Sequence, residues 1–192
     1  QVDPNRIYTE NGRSCALPAE IAPTVKIFAD ELLKLVLAED GSSLRPGERY
    51  LVAVHNNTDV DAKVETARAG DLTASAFVKA KNAHAEFYEQ AQGVYLSNME
   101  DDADNFVFLS GPQLVGYFAE RGFNAVVQKS ASLLESKKCS IDDGSLSVYS
   151  AQAGVPYICL EADGVSGFGR QRQMFEAVYK LVGESEERLA RK

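Results

Sequence analysis

Two short, nearly continuous apolar runs constrain this chain most: Tyr50-Leu51-Val52-Ala53-Val54 and Val155-Pro156-Tyr157-Ile158-Cys159-Leu160. Such runs have no face to offer water, so as strands they must lie in a sheet that is covered on both sides. The segments around them supply the covers. From Pro18 to Glu39 the residues Ile21, Val25, Phe28, Leu32, Leu35 and Val36 share one helical stripe, with Asp30, Glu31 and Lys34 off its centre. Pro18 suits the first turn, where its missing N–H would have gone unpaired. Phe106 to Leu109 and Phe123 to Val127 read as further strands, and Pro112 to Arg121 as a helix with Leu114, Val115 and Phe118 inward. Ser145 to Gln152 reads as a short helix. Gln171 to Arg188 reads as a closing one, with Met174, Phe175, Val178 and Leu181 on one face. The stretch from Asp61 to Asp104 is weakly patterned: Ala76 to Gln92 reads as helical, and Glu100-Asp101-Asp102-Ala103-Asp104 as a solvated acidic loop. Strands alternating with helices predict an α/β fold, a mixed, largely parallel sheet with helices on both faces, in a single domain over 1–192.

Composition removes two classes of partner. With 20 Lys and Arg against 28 Asp and Glu, the formal net charge is −8. Sequence-independent binding to nucleic acid needs clustered positive charge, so no nucleic acid partner is expected. No apolar run approaches the roughly 18–20 residues that a membrane span requires, so none is expected either. The start, Gln1-Val2-Asp3-Pro4-Asn5-Arg6, carries no signal- or transit-peptide pattern, which leaves either a cytoplasmic protein or a mature, trimmed one; the lack of an initiator Met favours trimming. Cys15, Cys139 and Cys159 have no metal-site spacing. Cys159, inside an apolar run, reads as a buried small hydrophobe. A Cys15–Cys139 bridge stays open, conditional on export to an oxidising compartment.

In open α/β sheets, sites gather beyond the carboxyl ends of strands. Two such ends stand out. At Val54-His55-Asn56-Asn57 an imidazole emerges from a buried strand beside two amides, placed to ligate a metal or move a proton, or to serve structure alone. At Ile158-Cys159-Leu160-Glu161 a carboxylate closes an apolar run, where desolvation favours a general base, or it simply faces water. Asp142-Asp143-Gly144-Ser145 reads as a turn with an N-cap, and His84 as a surface residue. The chain carries neither a phosphate-binding glycine loop in strand-to-helix context nor a GxSxG elbow.

Taken together, Asn5-Arg6, then His55 about fifty residues later at a strand end, then Glu161 followed by Ala-Asp-Gly-Val-Ser-Gly-Phe resemble the zinc metallocarboxypeptidase (carboxypeptidase A-like) family. The stretch from Gly144-Ser145-Leu146-Ser147 to Glu161 resembles the family's helix and strand leading to its catalytic Glu. The short loops, Asp-Gly-Ser-Leu and His-Asn-Asn-Thr segments resemble its bacterial murein-peptide amidase and succinylglutamate desuccinylase branches. The resemblance implies His55 as a zinc ligand, Glu161 as general base on a metal-activated water, and Asn5 and Arg6 as anchors for a substrate carboxylate, with Asn56 beside them. It implies one zinc ion, a peptide or N-acyl amino acid substrate such as a peptidoglycan peptide, and a periplasmic or secreted location.

The sequence departs from that family at more than one point. The first two zinc ligands of the family form a His-x-x-Glu motif upstream of Asn-Arg, whereas this chain begins four residues before Asn5 and neither His55 nor His84 has Glu three positions on. The family's loop Tyr has no clear counterpart; Tyr149 and Tyr157 come later than expected. The chain is therefore expected to be the C-terminal two thirds of a larger zinc hydrolase domain, with a missing N-terminal segment as its partner and with zinc absent or weak without it. Two rivals stand beside this reading. One is a non-catalytic ligand-binding or interaction domain that keeps the scaffold and lacks the metal. The other is an unrelated α/β enzyme using Glu161 and His55 as an acid/base pair.

Overall fold

The computed structural model describes residues 2–37, 50–57, 91–129, 139 and 141–190. Asp3 caps a 3-10 turn, Pro4–Arg6, and Thr9 caps α1, Glu10–Ala16, its hydroxyl accepting from Gly12 N. Then follow α2 (Ala22–Leu37), β1 (Leu51–Asn57), β2 (Ala91–Tyr95), β3 (Phe106–Leu109), a 3-10 turn at Pro112–Leu114 running into α3 (Val115–Ala119), β4 (Ala125–Gln128), α4 (Leu146–Ala153), β5 (Tyr157–Asp163) and α5 (Phe168–Ala190). The five strands form one sheet in the order β1-β5-β3-β4-β2. The fold is α/β with a mixed sheet. Largely parallel goes too far, since β1–β5 and β3–β4 are parallel while β3–β5 and β2–β4 are antiparallel.

Side-chain alternation along the strands divides the core in two. Val107, Leu109, Ile158 and Leu160 face one way and pack with Phe118 of α3 and Met174, Ala177, Val178 and Leu181 of α5. Phe106, Phe108, Tyr157, Cys159 and Leu51 face the other way, with Leu146 of α4 and Leu37 of α2 against them. The central strands are thus covered on both faces, as their unbroken apolar character requires.

Several boundaries differ from the sequence reading, for identifiable reasons. Both key strands run past their apolar runs: the β1–β5 ladder continues through His55↔Glu161 and Asn56↔Ala162 to Asn57↔Asp163, so backbone pairing, not hydrophobicity, ends them. Ala91 and Gln92 belong to β2, which pairs with β4, and not to a helix; 76–90 lies outside the described residues. On α2 the buried residues are Ala29 and Leu33, while Ile21, Phe28, Leu35 and Val36 of the expected inner stripe are exposed. Phe175 is exposed too, because α5 meets the sheet along Met174, Val178 and Leu181.

The acidic loop is solvated only in part: Glu100 is exposed, while Asp101 and Asp102 are half-buried. Asp104 is fully buried, and the Asp101 carboxylate accepts from Asp102 N, Asn105 Nδ2 and Arg170 Nε. Arg170 also lies over the Phe123 ring and donates to Gly122 O, so α5 is bolted to this loop. Cys15 and Cys139 form a disulfide, and Cys159 is a buried free thiol.

Candidate functional site

His55 and Glu161 are direct partners in the β1–β5 ladder and lie on the same face, two residues beyond Ala53 and Cys159. The imidazole Nδ1 is 3.1 Å from Glu161 Oε2. Its other nitrogen, Nε2, is 3.3 Å from the Asn5 side-chain nitrogen, delivered by the Pro4–Arg6 turn. Residues 5, 55 and 161 therefore form one hydrogen-bonded row across the carboxyl ends of two parallel strands. The Glu161 hydrogen bond raises the His55 pKa above the ordinary imidazole range, against a smaller opposing effect of burial. Coulombic contributions also come from Glu161, Arg6 and Asp3.

Glu161 is held from the inside as well. Cys159 occupies the preceding position on the same strand face, and its Sγ donates to Glu161 Oε1 at 3.1 Å. Burial pushes the thiol well up, so it stays a donor beside the carboxylate. Tyr157, next on that face, is likewise raised by burial. One carboxylate oxygen is thereby fixed toward the core and the other toward His55.

Arg6 is placed beside this row but is engaged. Its guanidinium donates to Asp143 Oδ2, and its Nε lies 4.0 Å from Asp3. The Asp143 carboxylate also accepts from Ser145 N, at the N-cap of α4. Behind it, buried Asp142 accepts from the Thr9 hydroxyl at 2.5 Å, from Gln152 Nε2 and from Gly144 N, while its carbonyl accepts from Asn11. Tyr8 N donates to Gly144 O at 2.9 Å. The segment read from sequence as a mere turn is thus the dock for the chain's first residues, and Ser145 is indeed the N-cap.

Asn56 does not join the row. Successive strand residues point to opposite faces, so its exposed side chain leaves the sheet on the side away from His55 and Glu161. Sequence reasoning missed Asp143 and Gln171. The first was visible only as a turn residue. The second acts on main-chain carbonyls, with Nε2 donating to His55 O at 2.9 Å and Leu160 O at 3.2 Å.

A catalytic zinc takes three protein ligands. Among the described residues His55 is one candidate donor, and no three His, Cys, Asp or Glu side chains come together as a group able to hold a metal ion. The described donors therefore do not make up a zinc site by themselves, and His84 lies outside them. Also among the described residues, no helix is long and apolar enough to cross a membrane. No family model matches the chain, and no curated protein or solved structure matches it significantly.

Proposed function

We propose that this chain carries the general base and the carboxylate anchors of a zinc carboxypeptidase-like hydrolase, cleaving a peptide or amide bond near a free carboxylate. One observation carries the reading: Asn5, His55 and Glu161, taken from three distant segments for their residue types and order, meet in a single row. In this reading Glu161 Oε2 takes a proton from the attacking water and returns it to the leaving amine. Arg6 and Asn5 receive the substrate carboxylate, Arg6 by exchanging its present partner Asp143 for it. His55 would be one zinc ligand, and the others would come from residues other than those described. Zinc, when bound, would supply polarisation of the scissile carbonyl and a more acidic water. The Cys15–Cys139 disulfide supports an exported, periplasmic or secreted protein.

The test is hydrolysis of peptides and N-acyl amino acids with a free carboxylate, with zinc content measured in parallel. Turnover that vanishes in Glu161→Gln while bound zinc is unchanged supports the reading; turnover that survives overturns it. A second reading, a carboxylate-binding module without catalysis, draws on the pairing of Arg6 with a carboxylate already in the fold. Binding of N-acyl amino acids with no turnover at any zinc level would favour it.

A further inference from the structure

His55 and Glu161 sit on different strands, so their 3.1 Å approach depends on how the two strand ends are held. Among the described strands β1 lies at one edge of the sheet, with β5 as its neighbour. Past the ladder itself, the side chain of Gln171 bridges the two. Gln171 Nε2 carries two hydrogens, and it donates to the carbonyl of His55 and to the carbonyl of Leu160. The first belongs to the residue that bears the imidazole, the second to the peptide that leads into Glu161.

The bridge comes from behind. Gln171 lies three and seven residues before Met174 and Val178, on the face of α5 that packs against Ile158 and Leu160. The His55 and Glu161 side chains project from the other face, with Cys159. The amide therefore holds the pair without occupying the space in front of it. Its own position is set firmly: Asp163, the last residue of β5, accepts from Val165 N and the Ser166 hydroxyl, and Gln171 N bonds Gly167 O at 2.8 Å. A side-chain Cβ at Gly167 would lie 2.5 Å from Asp163 backbone atoms, so the turn between β5 and α5 is closed tightly.

We propose that Gln171 is a positioning residue for the His55–Glu161 pair, gripping the main chain on both sides of it so that imidazole and carboxylate stay in contact. Its catalytic meaning rests on the reading of Glu161 as general base, but its test does not need turnover.

The chain has two histidines, so the ring resonances of His55 are assigned by their loss in His55→Gln. His55 is faced by Glu161 from β5 and by Asn5, Arg6 and Asp3 from the first turn, all kept in the variants below except Glu161 in its own control. Glu161→Gln gives the titration midpoint of His55 without its partner. Gln171→Met, similar in shape but without a donor, should move the midpoint from the wild-type value toward that control, by about half a pH unit or more. Gln171→Ser should do the same. A His55 midpoint at the wild-type value in folded Gln171→Met overturns the proposal. Loss of folding in both Gln171 variants also overturns it, since the amide would then be a support of the fold at large. If Glu161→Gln itself leaves the midpoint unmoved, the pair is uncoupled and the proposed function falls with it. If Glu161→Gln lowers the midpoint and Gln171→Met does not, the clamp alone falls.

Discussion

Arg6 and Asp143 are 137 residues apart and form an ion pair beside the His55–Glu161 row. A guanidinium paired in this way receives an incoming carboxylate only by exchange. Asp143→Asn removes the competing charge and keeps an oxygen for Ser145 N. It should tighten binding of an N-acetyl amino acid by about threefold or more, at a stability loss of about 1–2 kcal/mol. Calorimetric titration of wild type, Asp143→Asn and Arg6→Gln decides it. Arg6→Gln should bind worst; equal affinity in all three would remove Arg6 from the site.

The dock that presents Asn5 and Arg6 depends on two glycines in backbone contact. A Cβ on Gly12 would lie 2.0 Å from Gly144 Cα, and one on Gly144 would lie 2.5 Å from Arg6 O. Gly144 also has a φ of +80°, a conformation that costs other residues strain. Gly12→Ala should therefore destabilise the protein by about 2 kcal/mol or more, because the obstacle is main chain and cannot rotate away. Urea unfolding measures it, and a change under about 0.5 kcal/mol would show that α1 and the 142–145 turn can separate freely.

What was legible in the sequence follows from what leaves a local trace. The sheet was legible because apolar runs such as 157–160 have no other stable environment. His55 and Glu161 were legible because a polar group closing such a run is conspicuous, and Asn5 because it came with a recognisable neighbour. That both stay within the strands was not, since the ladder beyond Leu160 is held by main-chain bonds to which side chains are indifferent. For the same reason Gln171 left no sign. On α2 periodicity showed an apolar side but not which side meets the protein, and the contact runs along Ala29 and Leu33. The partner of Arg6 and the pairing of Asp101 depend on long-range docking, through Asp143 and Arg170, that no local pattern encodes.

The Cys15–Cys139 bridge ties α1 to the same region as the dock, its cysteines 124 positions apart in the sequence. Closing so long a loop removes much entropy from the unfolded chain, about 4–5 kcal/mol in the chain-entropy picture and about 2–4 kcal/mol in typical measurements. The double variant Cys15→Ser/Cys139→Ser should therefore unfold at lower urea than wild type, and wild type with a reductant should shift to match it. Cys159, buried and apart, should stay unreactive to thiol reagents until unfolding. An unchanged midpoint in reductant would show that the bridge contributes nothing to stability.

Two groups near the strand ends should give pH dependences of opposite sign. Asp163 is held below the usual carboxylate range, first by the Ser166 backbone N–H and further by its hydroxyl and the Val165 and Gly167 N–H groups. Its folded pKa is lower than its unfolded one, so its contribution is present above the unfolded value, about 3.9, and is lost as pH falls through the folded value. His55 is raised, chiefly by its hydrogen bond to Glu161. Its contribution is complete below the unfolded value, about 6.5, and is lost as pH rises through the folded one. Thermal midpoints measured from pH 2 to 9 should therefore show a steeper acid decline in wild type than in Asp163→Asn, and a loss above neutrality that His55→Gln abolishes. Because His55 is half-exposed, the alkaline effect should be the smaller and should shrink in high salt. An alkaline limb that is identical in wild type, His55→Gln and Glu161→Gln would mean that imidazole and carboxylate do not share a proton in solution.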